Sequence, residues 1–343
     1  MTILFLLIIC TIIPQCSLVQ FDFSYNETAP YNISLCIGRK DNCYPFLVSP
    51  MVTTTMVLSR RRFNPETSPT FTRISEDMNM GIYKGRSWSG CKVKDNIFVK
   101  DADIEIKDFK FILFKGGVHL DRYYGIVGLG NSYYKNGNDS DFLMMIEEKG
   151  YIKEQLITFG KSMLKLGERD EIHNDIKKKE CRTRDKRYKN PQYFFCIVDA
   201  ILLYANDKIY SDDISEQIRF SFEEYDIHCP EHFFNTIIEN IFKPFIASNK
   251  CKEEKAKANF LDTVIYCEEE EAIQLLSHFD IYFFIGKWNI HFSFSELFRN
   301  KKFLIVHNQS NDRWVFGLII GSKYSVTIDK ESKVISFNPL YSN

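Results

Sequence analysis

The feature of this sequence that most constrains its fold is the recurrence of short segments in which apolar and polar residues alternate. The clearest is Ile104–Phe114, IEIKDFKFILF, where apolar side chains recur at nearly every second position. A period of two places successive side chains on opposite faces of a strand. Many such segments follow one another, separated by turn residues, with no repeat of 20–50 residues. This pattern predicts an all-β protein.

Helical spacing is confined to a few places. Residues 141–152 predict a helix that ends at Gly150. Residues 218–238 predict a strand, a turn at Cys229 and Pro230, and then a helix with Pro230 at its first position. A strand that turns sharply into a helix is a common place for a catalytic side chain, so this stretch is a candidate site.

Several features predict passage through the secretory pathway. Residues 3–13 form an apolar run too short to span a bilayer, and we assign residues 1–17 as a signal peptide. Ten Cys are present, two of them in or beside this segment, and the other eight predict disulfides whose pairing the sequence leaves open. Four glycosylation sequons begin at Asn26, Asn32, Asn138 and Asn308. We therefore expect a protein that is secreted or held in the secretory-pathway lumen.

Composition and charge limit the classes of function. Apolar residues make up 45% of the chain and aromatic residues 15%, which is enough for a large core and argues against disorder. The net charge is −1, so no global field favours nucleic acid or an anionic membrane. No Cys or His spacing is typical of a zinc site. We expect no metal, no other cofactor and no nucleic-acid partner.

The length of 343 residues favours about two domains. Residues 18–165 and 193–343 are both rich in strand patterns, and they flank a charged stretch at 166–192. Within it, residues 171–190 are rich in Lys and Arg and poor in apolar residues. We interpret them as an exposed insertion between two lobes; the alternative is a binding patch for an acidic partner.

Several segments match the motifs of one family in the order of the chain. YNISLCIG ends in Ile-Gly, FNPETSPTF fits Phe-x-Pro-x-x-Ser-x-Thr-Phe, and YYGIVGLG fits Asp-Gly-Ile-Leu-Gly-Leu-Gly with Tyr124 in place of Asp. YKGRSWSG, MLKLGERD, YFFCIVDAILL and RWVFGLIIGSKYSVTID match further strands. The chain thereby resembles the pepsin-like aspartic peptidases, and within them the nepenthesin and plant type. The resemblance implies an all-β, bilobal fold with a cleft between two lobes.

The chemistry of that family requires two Asp, one in each lobe, within Asp-Thr/Ser-Gly-Thr/Ser. The two carboxyl groups share a proton, so that one acts as a base toward water while the other acts as an acid. The resemblance assigns the first Asp position to Pro50, or to Ser49 with a shift of one residue. It assigns the second to Ser221, followed by Phe222 and Glu223 in place of Thr and Gly. Neither catalytic Asp is present.

Other residues were weighed for the same site. Asp199, in Ile-Val-Asp-Ala, is an alternative second acid, but no Gly and no Pro-led helix follow it at the family's spacing. Glu223, Glu224 and Asp226 are interpreted as solvated loop charges. His228 and His232, with no triad or metal spacing, are interpreted as ordinary surface or core residues.

The resemblance also implies a flap with Tyr83 at its tip, closing over the cleft. It implies two disulfides, Cys36–Cys43 and Cys251–Cys267. Our expectation is a secreted, monomeric homologue of aspartic peptidases without catalytic activity, whose cleft binds a peptide, an inhibitor or another extracellular protein. It has no membrane span once the signal is removed. The alternatives are an active endopeptidase with a displaced dyad that uses Asp199, and a glycosylated structural or surface protein.

Overall fold

A computed structural model describes most of the chain outside its first residues and several connecting segments. The predicted signal peptide, Asn26, Asn138 and most of 166–192 lie outside the described residues. The described ranges are 19–22, 31–59, 63–83, 86–102, 104–114, 120, 123–130, 141–160, 163–169, 179–182, 194–205, 208–212, 216–256, 262–268, 279–309 and 313–340.

Strands dominate the described residues. The first thirteen, in chain order, are β1 (Val19–Asp22), β2 (Asn32–Ile37), β3 (Cys43–Ser49), β4 (Met56–Leu58), β5 (Thr72–Tyr83), β6 (Arg86–Val99), β7 (Ile104–Phe114), β8 (Gly125–Gly128), β9 (Leu156–Phe159), β10 (Met163–Leu166), β11 (Lys179–Arg182), β12 (Phe195–Val198) and β13 (Ala200–Ala205).

The next thirteen are β14 (Lys208–Asp212), β15 (Glu216–Phe220), β16 (Ile227–Cys229), β17 (Cys251–Lys255), β18 (Asp262–Cys267), β19 (Asp280–Ile285), β20 (Trp288–Ser293), β21 (Phe298–Arg299), β22 (Lys302–Phe303), β23 (Ile305–Asn308), β24 (Val315–Phe316), β25 (Tyr324–Asp329) and β26 (Val334–Pro339).

Helices are short and few among the described residues. They are α1 (Phe142–Glu148), α2 (Glu231–Ile237), α3 (Lys243–Ala247) and α4 (Phe294–Leu297), with a π-helical turn at Ile238–Phe242 between α2 and α3. Turns of 3₁₀ helix occur at Pro65–Thr67, Lys100–Ala102 and Leu318–Ser322. None of these helices is long and apolar enough to cross a membrane. The predicted all-β class is confirmed.

Four sheets organise the described strands. A seven-stranded sheet has the order β2-β3-β8-β4-β7-β6-β5, and a nine-stranded sheet has the order β12-β15-β24-β16-β23-β18-β22-β21, with β17 beside β18. A four-stranded sheet has the order β14-β13-β19-β20. The six-stranded sheet, β1-β10-β9-β25-β26-β11, joins strands from both ends of the sequence. One hydrophobic cluster extends through both halves, so they share a core.

Some boundaries differ from the sequence predictions. Residues 313–320 were expected to form one strand, but the strand ends at Phe316 and a 3₁₀ turn begins at Leu318. Residues 193–204 divide into β12 and β13 at Asp199. Cys229 ends a strand and Pro230 caps α2, which begins at Glu231. Within the charged stretch, β11 pairs with β26, so that part is built into a sheet.

Three disulfides join the described residues. Cys36–Cys43 and Cys251–Cys267 are the pairs that the resemblance implied. Cys181–Cys196 was left open by the sequence, and it links β11 to β12. Cys91 and Cys229 are buried and belong to none of these three disulfides.

Candidate functional site

The structure contains the same four-strand arrangement twice. In the first unit, β8 lies between β3, which is parallel to it, and β4, which is antiparallel, and β7 lies parallel to β4 on the far side. In the second unit, β24 lies between β15 and β16 in the same directions, and β23 lies parallel to β16. In each unit a loop leaves the first strand and returns to the sheet two strands away. We call residues 49–55 the first loop and residues 221–226 the second loop.

The pairing registers make Ser49 and Ser221 equivalent. Ser49 lies opposite Gly128 in the parallel pair β3–β8. In the parallel pair β15–β24, Phe220 lies opposite Phe316, so the next position sets Ser221 against Gly317. The same alignment makes Met56 equivalent to His228. The number of residues from Ser49 to Met56 is the same as the number from Ser221 to His228. The segments from Ser49 to Met56 and from Ser221 to His228 are therefore equal in length, although β16 begins one residue earlier than β4, and each segment begins with Ser.

The two Ser side chains also make the same local hydrogen bond. The Ser49 hydroxyl accepts the backbone N–H of Met51 at 3.2 Å, and the Ser221 hydroxyl accepts that of Glu223 at 3.2 Å. Both side chains are buried. A hydroxyl that accepts one bond keeps its own proton and a further lone pair. Each loop thus presents one neutral group that can both donate and accept.

Gly128 and Gly317 permit the loops to approach the central strands. A Cβ added to Gly128 would lie 2.7 Å from the amide nitrogen of Thr54, and one added to Gly317 would lie 2.4 Å from the carbonyl oxygen of Asp226. Such contacts are shorter than packed atoms allow, so a larger residue would push the loop away. This explains why β24 ends after Phe316: the second loop wraps over the backbone at Gly317.

Tyr31 joins the two loops. Its carbonyl accepts the N–H of Val48, which precedes Ser49, at 2.9 Å. Its N–H donates to the carbonyl of Phe222, which follows Ser221, at 3.3 Å. The Tyr31 hydroxyl donates to the carbonyl of Gly160, and burial raises the pKa of this phenol, although the bond to Gly160 opposes that shift. Tyr31 thus lies between the two chain segments that carry Ser49 and Ser221 and is hydrogen-bonded to both.

Aromatic side chains pack around Tyr31 at this point, where it contacts the second loop. The ring of Phe222 lies 5.7 Å from that of Tyr31 and 4.4 Å from that of Phe159, centroid to centroid. All three side chains are buried. Phe222 is the residue that the resemblance aligns with the Thr of the family motif, and here its side chain belongs to the core.

The second loop carries charges that are paired and not freely solvated, which corrects the interpretation of Glu224 and Asp226 from the sequence. The Glu224 carboxylate lies 2.7 Å from Nε2 of His228 on β16. The Asp226 carboxylate pairs with the ammonium of Lys302 on β22. His228 is buried, with 3% of its side chain exposed, so it is a core residue, which is one of the two interpretations made from the sequence. Sequence reasoning missed this pair, because a four-residue separation outside a helix predicts no contact.

The remaining predicted residues belong to neither of the two loops. Asp199 is exposed, and its carboxylate accepts the N–H of Gly286 at 2.6 Å, where it caps the β19–β20 turn. Tyr83 ends β5 and pairs with Arg86 at the outer end of the β5–β6 hairpin. Asn32 begins β2, and Asn308, at the end of β23, is buried and donates to Asp262.

Comparison with models of known protein families finds no match, and a search of curated proteins finds no significant one. The function of the site must therefore be argued from its own chemistry. At each of the two equivalent loop positions that chemistry is a hydroxyl group, which can donate and accept hydrogen bonds but does not exchange protons near neutral or acidic pH as carboxyl groups do.

Proposed function

We propose that this protein is a secreted, bilobal homologue of the pepsin-like aspartic peptidases that binds peptide segments between its two loops and does not cleave them. The observation that carries the proposal is the equivalence of Ser49 and Ser221. Two units of identical strand order each place a neutral hydroxyl at the start of the loop. Without a carboxylate at either position, no base activates water and no acid protonates a leaving group.

Two further observations support a retained binding cleft. The outer end of the β5–β6 hairpin, from Gly81 to Ser89, extends past the segment of β6 that pairs with β7. This is the arrangement that a flap over the cleft requires. Residues 51–54 of the first loop and 223–226 of the second are partly exposed, so a ligand can reach them, and clefts between domains are frequent ligand sites.

The test combines a cleavage assay with a binding assay on the protein secreted by a eukaryotic host. A quenched fluorescent peptide library is incubated at acidic pH, with and without pepstatin, and we expect no pepstatin-sensitive cleavage. The same library passed over immobilised protein should leave a reproducible set of bound peptides. Cleavage that is lost in Asp199→Ala would overturn the proposal in favour of an active enzyme.

Single variants test whether binding uses the hydroxyl pair. Ser49→Ala and Ser221→Ala each remove one hydrogen bond to the ligand, and we expect peptide affinity to fall about threefold to tenfold in each. Ser336→Ala is the matched control, because that hydroxyl is also buried but bonds Glu180 in the six-stranded sheet. Equal affinities in all four proteins would place the peptide elsewhere.

A further inference from the structure

Two ion pairs fix the position of the second loop. His228 holds Glu224, and Lys302 holds Asp226. Backbone hydrogen bonds also fix this loop. The carbonyl groups of Glu224 and Asp226 accept the N–H groups of Leu318 and Gly317 at 2.8 and 3.0 Å, respectively. The position of the loop thus depends on both the backbone contacts and the charge of the His228 side chain.

The charges around His228 are mostly negative. From the loop, Glu224 and Asp226 face it, and Asp262 of β18 contributes a third carboxylate. Lys302 of β22 is bound to Asp226. On β23, the His307 ring is bonded to the Cys229 carbonyl beside it. A protonated His228 is therefore attracted to the carboxylates of Glu224, Asp262 and Asp226.

This environment decides the protonation of His228 in the folded protein. Burial lowers its pKa, but attraction to Glu224, the hydrogen bond to Glu224, and the charges of Asp262 and Asp226 together raise the pKa above its ordinary value of 6.5. A raised folded value means that the interaction contributes its full stability below pH 6.5 and loses it as the pH rises through the folded value.

The first loop has no equivalent of the His228–Glu224 pair. The residue equivalent to His228 is Met56, which is buried in an apolar cluster. Glu224 is only partly buried, with 23% of its side chain exposed, so it can turn to solvent once its partner is neutral. Asp226 lies two residues away in the same loop and repels it.

We propose that His228 is a positioning residue that acts through Glu224 to hold the second loop in its binding conformation while His228 is protonated and to release it as His228 loses its proton. The proposal rests on the proposed function only in that the loop is part of the peptide site. Release moves the loop that begins at Ser221, so peptide affinity is expected to fall over the same pH range in which the loop is released.

Amide hydrogen exchange tests the proposal without any ligand. The N–H groups of Gly317, Leu318 and Ile319 donate to carbonyl groups of the second loop, so their protection factors report its position. After correction for intrinsic exchange, we expect a fall of about fivefold between pH 6 and pH 9, as the charge-assisted bond becomes a neutral one. The N–H groups of Leu129 and Gly130, bonded to Ser49 and Val52 of the first loop, are the internal control and should show no such step.

Two variants separate this role from a merely structural one. Glu224→Gln keeps the shape but removes the charge, and it should abolish the pH step. His228→Gln should show low protection at Leu318 at every pH. A step that persists in Glu224→Gln, a wild-type protein with no step, or equal steps in both loops would overturn the proposal. If the step is present but no peptide binds, the switch stands and the proposed function fails; if peptides bind equally at pH 6 and pH 9 with no step, the switch alone fails.

Discussion

The ring of Tyr31 meets the ring of Phe222 edge to face, with centroids 5.7 Å apart and an interplanar angle of 86°. Tyr31 precedes β2, and its carbonyl accepts the N–H of Val48 near the end of β3, so this contact links the segment before the first loop to the residue that follows Ser221. The packing of these two rings adds to the backbone hydrogen bond between Tyr31 and Phe222. Phe222, at a position where the resemblance implies a small Thr, is thus part of an aromatic core.

Replacing Phe222 should therefore destabilise the protein as a whole. Phe222→Ala removes a fully buried ring from its contacts with Tyr31 and Phe159, and large-to-small changes of this kind cost about 3–5 kcal/mol. Urea unfolding followed by tryptophan fluorescence measures the change. Phe284→Ala, at a half-buried position on β19, is the control and should cost clearly less. Equal losses in the two variants would contradict a central role for Phe222.

The ion pair of Lys330 with Asp141 connects β25 to the N-terminus of α1 and is almost fully buried, with 3% and 4% of the two side chains exposed. Lys330→Met leaves the Asp141 charge buried and alone, which we expect to cost about 3–5 kcal/mol in the free energy of unfolding. Adding Asp141→Asn should recover much of this loss, because Asn is neutral and still caps the N–H groups of Leu143 and Met144.

The control for this pair is Lys94→Met. Lys94 and Asp108 form an ion pair at 2.8 Å with 35% and 71% of their side chains exposed, and solvent screens such a surface pair, so we expect little loss of stability. A double variant of Lys330 and Asp141 that is no more stable than Lys330→Met would show that the loss comes from packing and not from the unpaired charge.

Glu296 should make stability depend on acidic pH. Burial raises its pKa, but the ammonium of Lys323 and the Ser293 backbone N–H outweigh burial and hold the pKa below its ordinary value of 4.5. The resulting stability is present above pH 4.5 and is lost as the pH falls through the lower, folded value. Glu296→Gln should thus lower the free energy of unfolding at pH 7 by roughly 1 kcal/mol or less, because Glu296 is half-exposed. Part of this loss comes from the capping box of α4, which Glu296 closes.

The difference between wild type and Glu296→Gln should shrink as the pH falls below 4.5, which thermal melts at a series of pH values would measure. Glu239→Gln is the comparison, since the pair of Glu239 with Lys243 is more than half exposed and should show little effect at any pH. A constant difference across the series would show that the Glu296 charge is not involved.

The sequon at Asn308 should be unoccupied in the folded, secreted protein. Asn308 is 6% exposed, and its side-chain amide donates to Asp262, so a glycan on that nitrogen has no space and would remove the bond. Glycopeptide mass spectrometry of protein from a eukaryotic host measures occupancy. A substantial glycan at Asn308 in the folded fraction would contradict the position of β23.

Local patterns were informative where one stretch carries its own signal. The alternation in Ile104–Phe114 identified β7, although the positive φ of 54° at Asp108 shifts the buried face within it. Asp141 and Gly150 marked the ends of α1, because a side-chain cap and a left-handed residue act on the adjacent backbone. The Cys36–Cys43 pair joins facing residues of β2 and β3.

The sequence by itself determined the all-β class and the helix at α1, since both depend on residue identity and short-range spacing. Only the tertiary structure decided that Ser49 and Ser221 are equivalent, because that follows from strand register across distant segments. It also decided that Glu224 meets His228 and that Lys330 meets Asp141. Contacts of this kind depend on the shared core that brings remote strands together, and no local pattern of residues encodes that distance.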